Sequence, residues 1–335
     1  MVRTWGPWTE VKLDALGDYL GAFCVACSLK AKRTLYLDLF AGAPENESRE
    51  TGRMIANSAE RALQSRPPFT RVVLCEMASR AVAALEGRMR EKHPERDVKM
   101  LPGDCNETLP AYLAVLGRDR DWRWAPAFAF VDQFSAEIRW ETLETLAHFR
   151  LGTRKVELWM LFGDSFIPRG AYEVDGQVKF PEYLDRVDAM FGTSQWREMR
   201  QGQLAGWLEP HEFRAELVNL MRWRLEKDLG YSTTIALKFP REDGHELYTM
   251  IFATDSDVGD KIMRHIFKGA GRALDDMIAR AKAVRKSGQS DDKLQMDGLF
   301  AVTSELIGRA SPGEQRSTLD PPVEPWRLGD HLRDT

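Results

Sequence analysis

The sequence predicts an α/β chain: a doubly wound, mostly parallel seven-stranded sheet carrying a helical insertion. Three observations predict it. Between residues 34 and 162, short apolar runs alternate with amphipathic helical stretches, the rhythm of successive strand–helix units in an open sheet covered on both faces. From about Pro168 to Leu229 that rhythm breaks into helical patterns rich in Trp, Arg and Glu. Two further strand patterns then follow, separated by the turn Pro240-Arg241-Glu242-Asp243-Gly244, which suits an antiparallel hairpin at one edge of the sheet.

Taken in order, Trp8 to Ser28 reads as a helix, with Thr9 as N-cap and Leu13, Leu16, Tyr19, Leu20, Phe23 and Cys27 at helical spacing. Lys30 to Arg33 is a basic turn. The stretch Thr34 to Asn46, TLYLDLFAGAPEN, begins as a buried strand and ends in the small-residue turn Ala41-Gly42-Ala43-Pro44. Glu45 to Gly52 is polar and is expected to be a mobile loop, and a helix from Ser58 to Ser65 stops before Pro67-Pro68. Further strands are expected at Arg71 to Glu76, Val98 to Leu101, Phe128 to Val131 and Val156 to Phe162. The helices between them are expected at Ala78 to Lys92, after the turn Gly103-Asp104-Cys105-Asn106 through Leu116, and at Trp140 to Phe149. The insertion is expected to hold helices at Phe180 to Phe191, Ser194 to Trp207 and Phe213 to Leu229. Strands at Thr233 to Phe239 and Glu246 to Thr254 and a long helix from Val258 to Arg285 complete the sheet. From Lys286 the composition shifts to Ser, Gly, Asp and Pro, which reads as an extended or disordered tail apart from an apolar patch at Leu299 to Ile307. The expected organisation is a sheet-forming part over 1–167, an insertion over 168–230, completing strands and helix over 231–286, and a tail over 287–335.

A chain of 335 residues with a formal net charge of −4 argues against coating nucleic acid by bulk electrostatics, while leaving room for a local basic face. The four cysteines, two of them in apolar runs, fit a reducing compartment. Cys24 and Cys27 form a lone C-x-x-C with no second pair and no nearby His, so they read as helix-face cysteines. None of the six histidines has metal-ligand spacing, and no metal is expected. No apolar run is long enough to span a membrane, and the first residues lack the apolar core of a signal peptide, so the expectation is a cytoplasmic protein without a membrane partner.

The acids carry the functional signal. Asp38, Glu76, Asp104 and Asp132 fall at or just after the carboxyl ends of successive strands, which places them along one rim of the sheet. Clustered carboxylates repel unless a ligand or backbone amides compensate them, so a cationic, hydroxyl-bearing ligand is implied. S-adenosylmethionine meets that demand: an amino group for the first turn, a ribose diol for Glu76 and an adenine amine for the turn after the third strand. NAD is the rival, since the same ribose logic holds at Glu76, but its G-x-G-x-x-G turn is absent where Gly42 is followed by Ala43 and Pro44. The bland alternative is that the acids are only helix N-caps, which is easiest to hold for Asp104. At the fourth strand end, Asp132-Gln133-Phe134 sets an acid, an amide and an aromatic side by side. That set can accept hydrogen bonds from an exocyclic amine and stack on a planar ring, as methylation of a nucleobase nitrogen requires. The alternative there is a strand-to-turn junction with a core Phe.

These runs, Tyr36-Leu37-Asp38-Leu39-Phe40-Ala41-Gly42, Gly103-Asp104-Cys105-Asn106, Ala129-Phe130-Val131-Asp132-Gln133-Phe134 and Leu247-Tyr248-Thr249-Met250-Ile251-Phe252-Ala253, with Lys12 to Phe23 ahead of them, resemble the three-Cys-motif partner (TcmP) family over roughly residues 8 to 270. The resemblance implies a class I S-adenosylmethionine-dependent methyltransferase fold and a partner whose three-cysteine motif is of the kind that binds an iron–sulfur cluster. It implies cofactor contacts from Asp38, Phe40, Gly42, Glu76, Asp104 and Asn106, and a catalytic, substrate-facing Asp132-Gln133-Phe134. Two departures stand out. The family turn Ala-Gly-Pro-Gly is Ala41-Gly42-Ala43-Pro44 here, and the family's Asp-Pro-Phe-Gly or Asp-Pro-Tyr-Gly is Asp132-Gln133-Phe134-Ser135. Expectation therefore divides between a methyltransferase acting on a nucleobase or nucleic acid and a non-catalytic binding partner of an iron–sulfur protein. Two further stretches bear on nucleic acid. The insertion interleaves Trp196, Trp207 and Trp223 with Arg197, Arg200, Arg214, Arg222 and Arg224, either a strand clamp or a packed seam with a solvated edge. The last helix carries Lys261, Arg264, Lys268, Arg272, Arg280, Lys282, Arg285 and Lys286, a solvated face or a phosphate-contacting surface.

Overall fold

The computed structural model describes residues 3–28, 30–44, 46–171, 173–174, 177–293 and 320–331. Its centre is strand β1 (Leu35–Asp38), buried along its whole length, followed in chain order by β2 (Arg71–Glu76), β3 (Val98–Pro102), β4 (Ala127–Val131), β5 (Glu157–Phe162), β6 (Thr233–Pro240) and β7 (Glu246–Thr254). In the sheet they lie in the order β3-β2-β1-β4-β5-β7-β6. The first five are mutually parallel, and β7 runs antiparallel to both β5 and β6. The sheet is thus the mostly parallel, seven-stranded, Rossmann-like arrangement expected. The hairpin joins it with its second strand inward.

Strands buried on both faces need two apolar sides, and the two-residue period supplies them. Leu35, Leu37, Val73, Ala129 and Val131 face one layer, formed by α4 (Cys105–Leu116), α5 (Trp140–Phe149) and the helices between β5 and β6. Tyr36, Val72, Leu74, Phe128 and Phe130 face the other, formed by α1 (Pro7–Ser28), α2 (Ser58–Gln64), α3 (Ser79–Lys92) and α9 (Asp257–Lys293). Helix α1 starts at Pro7, so Thr9 sits in its first turn rather than capping it.

The polar stretch after β1 differs from expectation. Asn46–Ser48 is a strand, paired parallel with Arg3–Trp5 and antiparallel with Met54–Ile55, and Trp5 Nε1 donates to Asn46 Oδ1 at 2.7 Å. Its backbone groups find partners on the amino-terminal strand, a long-range pairing that local polarity does not reveal.

Between β5 and β6 lie α6 (Pro181–Phe191), α7 (Gln195–Leu204) and α8 (Pro210–Lys227). Their Trp and Arg residues form a packed seam. Trp196 is fully buried with Nε1 on Asp188, Arg197 also binds Asp188, and Arg214 pairs with Asp164 and Glu246. Arg224 lies 4.0 Å over the Trp140 ring, and Trp207 is half-exposed. Arg222 is 0% exposed and donates to Thr234 Oγ1 (3.0 Å), Thr234 O (2.8 Å) and Asp320 Oδ1 (2.8 Å). That last partner belongs to a carboxyl-terminal strap, 320–331, whose Val323 backbone is gripped through both its N–H and C=O by the Asn219 amide. Trp326 packs where a Cβ on Gly202 would stand 2.5 Å from its ring. The expected extended tail therefore differs at both ends, since α9 continues to Lys293 and the strap docks on α7 and α8. Residues 294–319, with the apolar patch at 299–307, and 332–335 lie outside the described residues. No described helix is long and apolar enough to cross a membrane.

Candidate functional site

Parallel strands end together, and at the carboxyl ends of β1 and β4 they leave a cavity of about 130 Å³. Phe40, Gly42 and Ala43 of the turn after β1 form one wall, and Asp132 forms the end of β4. Lys12 of α1 and Asn57 and Ser58 at the start of α2 form the opposite side, while Trp5 and Asn46 of the small sheet also line it.

Gly42 adopts φ +67°, a left-handed conformation that glycine takes without strain. Its N–H donates to Glu76 Oε2 at 2.8 Å while the Ala78 N–H donates to Oε1 at 2.7 Å. The carboxylate thus ties the turn after β1 to the turn after β2. Each oxygen keeps acceptor capacity for a hydroxyl.

Asp38 is 0% exposed and lies behind the cavity wall rather than on its surface. It accepts from Tyr36 Oη at 3.2 Å and the Phe40 N–H at 3.3 Å, and Ser58 hydrogen-bonds to it. Burial pushes its carboxyl up to about 7, with Asp132 adding repulsion against the lowering effect of those hydrogen bonds. Asp38 therefore acts on the cavity indirectly, by fixing Phe40 and Ser58.

Asp132 is paired. Lys12 Nζ reaches its two oxygens at 2.6 and 2.7 Å, and the Lys12 side chain is itself buried. Tyr248 of β7 lies beneath, its ring 5.6 Å from Lys12 Nζ. Its buried hydroxyl has no hydrogen-bond partner among the described residues, and burial together with the Asp132 charge holds it protonated well above the usual range.

The other expected residues diverge. Gln133 turns inward: its Nε2 donates to Leu161 O at 3.1 Å, and its Oε1 accepts from Glu137 N and Ile138 N, both at 2.9 Å. A buried amide so engaged shapes the loop after β4 and is not free to touch a substrate. Phe134 is 76% exposed and stacks on Phe166, ring centroids 5.3 Å apart. Asp104 is the N-cap of α4, its Oδ1 accepting from Asn106 N at 2.9 Å, and Arg139 approaches its Oδ2 at 3.4 Å. Asn106 is spent as well. Its Nδ2 donates to Asp104 and to Glu137 O, and its Oδ1 accepts from Arg139 N and Thr142 Oγ1. The structure thus gathers Phe40, Gly42 and Asp132 at one cavity, joins Glu76 to it through Gly42, sets Asp38 behind it, and assigns Asp104 and Asn106 to holding α4 against the 137–142 segment.

Sequence reasoning missed Lys12, Asn57, Ser58 and the Trp5 strand as part of this site. One signal for Lys12 was present: it shares the α1 face of Leu13, Leu16 and Leu20, and a lysine on an apolar helix face needs a buried counter-charge. Chemically, a cationic donor, an anionic acceptor and neutral amide and hydroxyl groups around one small space suit the charged end of a zwitterionic ligand.

No family model matches the chain, and no curated protein matches it. Among solved structures, a Legionella pneumophila protein of family DUF519 is similar with a TM-score of 0.46 at 8% identity, over 78% of this chain and 92% of that one. A hemolysin candidate from Streptococcus thermophilus has a TM-score of 0.34 at 13% identity, over 82% and 75%. A conserved hypothetical protein of Streptococcus pyogenes has 0.26 at 16% identity, over 46% and 81%. The fold assignment rests on the strand order and directions described above.

Proposed function

We propose that this chain is an S-adenosylmethionine-dependent methyltransferase acting on a nitrogen of a nucleobase or nucleic acid. The observation that carries the reading is the cavity at the ends of β1 and β4, with Gly42 tied to Glu76 on one side and Asp132 on the other. The donor set fits the cofactor. Lys12 offers a cation to a carboxylate and Glu76 unused lone pairs to a ribose diol. At about 130 Å³ the space is smaller than the roughly 300 Å³ at the low end of small-molecule sites, so it takes the amino-acid end and leaves the nucleoside to the rim at Glu76.

When bound, the cofactor supplies a methyl group on a sulfonium; the chain's own work is positioning. Asp132, compensated by Lys12, is suited to accepting a hydrogen bond from the amino group of a target base rather than to acting as a strong base. Phe134 offers its exposed face for stacking on the base plane. Asp38 keeps Phe40 and Ser58 in place.

Calorimetry tests the reading. S-adenosylmethionine should bind the wild type, and Gly42→Val should weaken binding about tenfold or more by forcing a β-branched residue into a left-handed turn on the cavity wall. Labelled methyl incorporation into nucleic acid should vanish in Asp132→Ala. Absence of any binding heat for the wild type would sink the proposal. A second reading, a non-catalytic partner of a three-cysteine-motif iron–sulfur protein of the TcmP kind, is favoured by Lys12 neutralising Asp132 and by Gln133 facing inward. Cofactor binding without methyl incorporation into any nucleic acid would select it.

A further inference from the structure

Beside Asp132 lies an exposed aromatic step that the cofactor cavity does not use. Phe134, 76% exposed, is stacked on Phe166 of the short helix Phe166–Gly170, with an interplanar angle of 22°. The Arg169 guanidinium sits 5.8 Å over the Phe166 ring. The Tyr183 ring closes on Gly170 at the end of that helix, the Tyr183 N–H donates to Phe180 O at 3.0 Å, and Lys179 lies 5.5 Å over Phe180, itself 45% exposed. Neither Arg169 nor Lys179 makes an ion pair with a described residue, whereas the neighbouring Arg139 and Arg186 are held by Asp104 and Glu137. An isolated exposed Phe is ordinary surface. A stacked pair under a cation that has no ion pair among the described residues, two residues beyond an acceptor at a strand end, combines the two features that grip a strand of nucleotides: faces for bases and charges for phosphates.

We propose that Phe134, Phe166 and Arg169, continued by Lys179 and Phe180, form a stacking step for single-stranded nucleic acid, so that the substrate is an unpaired strand longer than one nucleotide. The inference rests on the methyltransferase reading and narrows its substrate. Every base has a face to stack, so the step selects for an unpaired strand rather than for a sequence. A duplex hides those faces and would have to unstack a base first.

The test is fluorescence anisotropy on the full chain without cofactor, using labelled oligodeoxythymidylate and oligouridylate of about ten nucleotides, the matched duplexes and a labelled mononucleotide. Single strands should bind at least tenfold tighter than duplex or mononucleotide, and the DNA and RNA arms identify which sugar is preferred. Phe166→Ala should weaken single-strand binding by about tenfold, the order found for one base–aromatic stack, and Phe166→Trp should restore it. Arg169→Glu, an exposed position, should weaken binding independently, so a misfolded Phe166→Ala does not leave the question open. Equal affinity for duplex, tightest binding of the mononucleotide, no strand binding, or unchanged affinity in both variants would each overturn the inference. Calorimetry with S-adenosylmethionine on the same preparation separates the two claims. Cofactor binding without strand binding defeats only the stacking step, and strand binding without cofactor binding defeats only the methyltransferase.

Discussion

Asp38 shows how one side chain can oppose stability while shaping a site. Its folded carboxyl is pushed from 3.8 up to about 7, so between those values the folded chain binds a proton that the unfolded chain has released. Its contribution to stability is therefore full below 3.8 and is lost as pH rises through about 7. The shift of roughly three units is worth on the order of 4 kcal/mol. Asp38→Asn should gain stability relative to wild type progressively from pH 4 to pH 7, measured by urea unfolding at fixed pH steps; a difference independent of pH would refute this. Asp38 was legible as an anomaly from sequence, an acid inside an apolar run. Its place behind the cavity was not, because that depends on Tyr36, Phe40 and Ser58 converging from separate segments. Gln133 misled for a related reason: an amide next to an acid looks available until the inward path of its loop is known.

At the scale of elements, the alternation of strands and helices was readable because each parallel strand is a short apolar run and each covering helix has one apolar face. The inward position of β7 was not, since strand order is a matter of long-range pairing and both strands of the hairpin read alike. Neither was the docking of the strap. Asp320 supplies a carboxylate to buried Arg222, and Arg264 also reaches it at 3.1 Å. Asp320→Ala should cost about 1–2 kcal/mol, less than for a wholly buried pair because Asp320 is partly hydrated and Thr234 still accepts from the guanidinium. Chemical denaturation measures this directly, and a change below a few tenths of a kcal/mol would mean that the strap contributes little to holding α8.

For the molecule as a whole, the sheet presents its strand ends to one edge, where α1, the turn after β1 and the start of α2 close on the same space. Those three come from the first sixty residues, whereas Asp132 comes from the middle of the chain, so the site exists only when β1 and β4 are paired. Ligand held there at a hundredfold its Kd should stabilise the fold by about 2.7 kcal/mol, visible as a rise in Tm with S-adenosylmethionine. The three-residue strand Arg3–Trp5, joined to Asn46–Ser48, borders the same space. A ligand seated against that pairing should protect it, so hydrogen exchange at the Asn46–Ser48 amides should slow when S-adenosylmethionine is added, and unchanged exchange would place the ligand elsewhere.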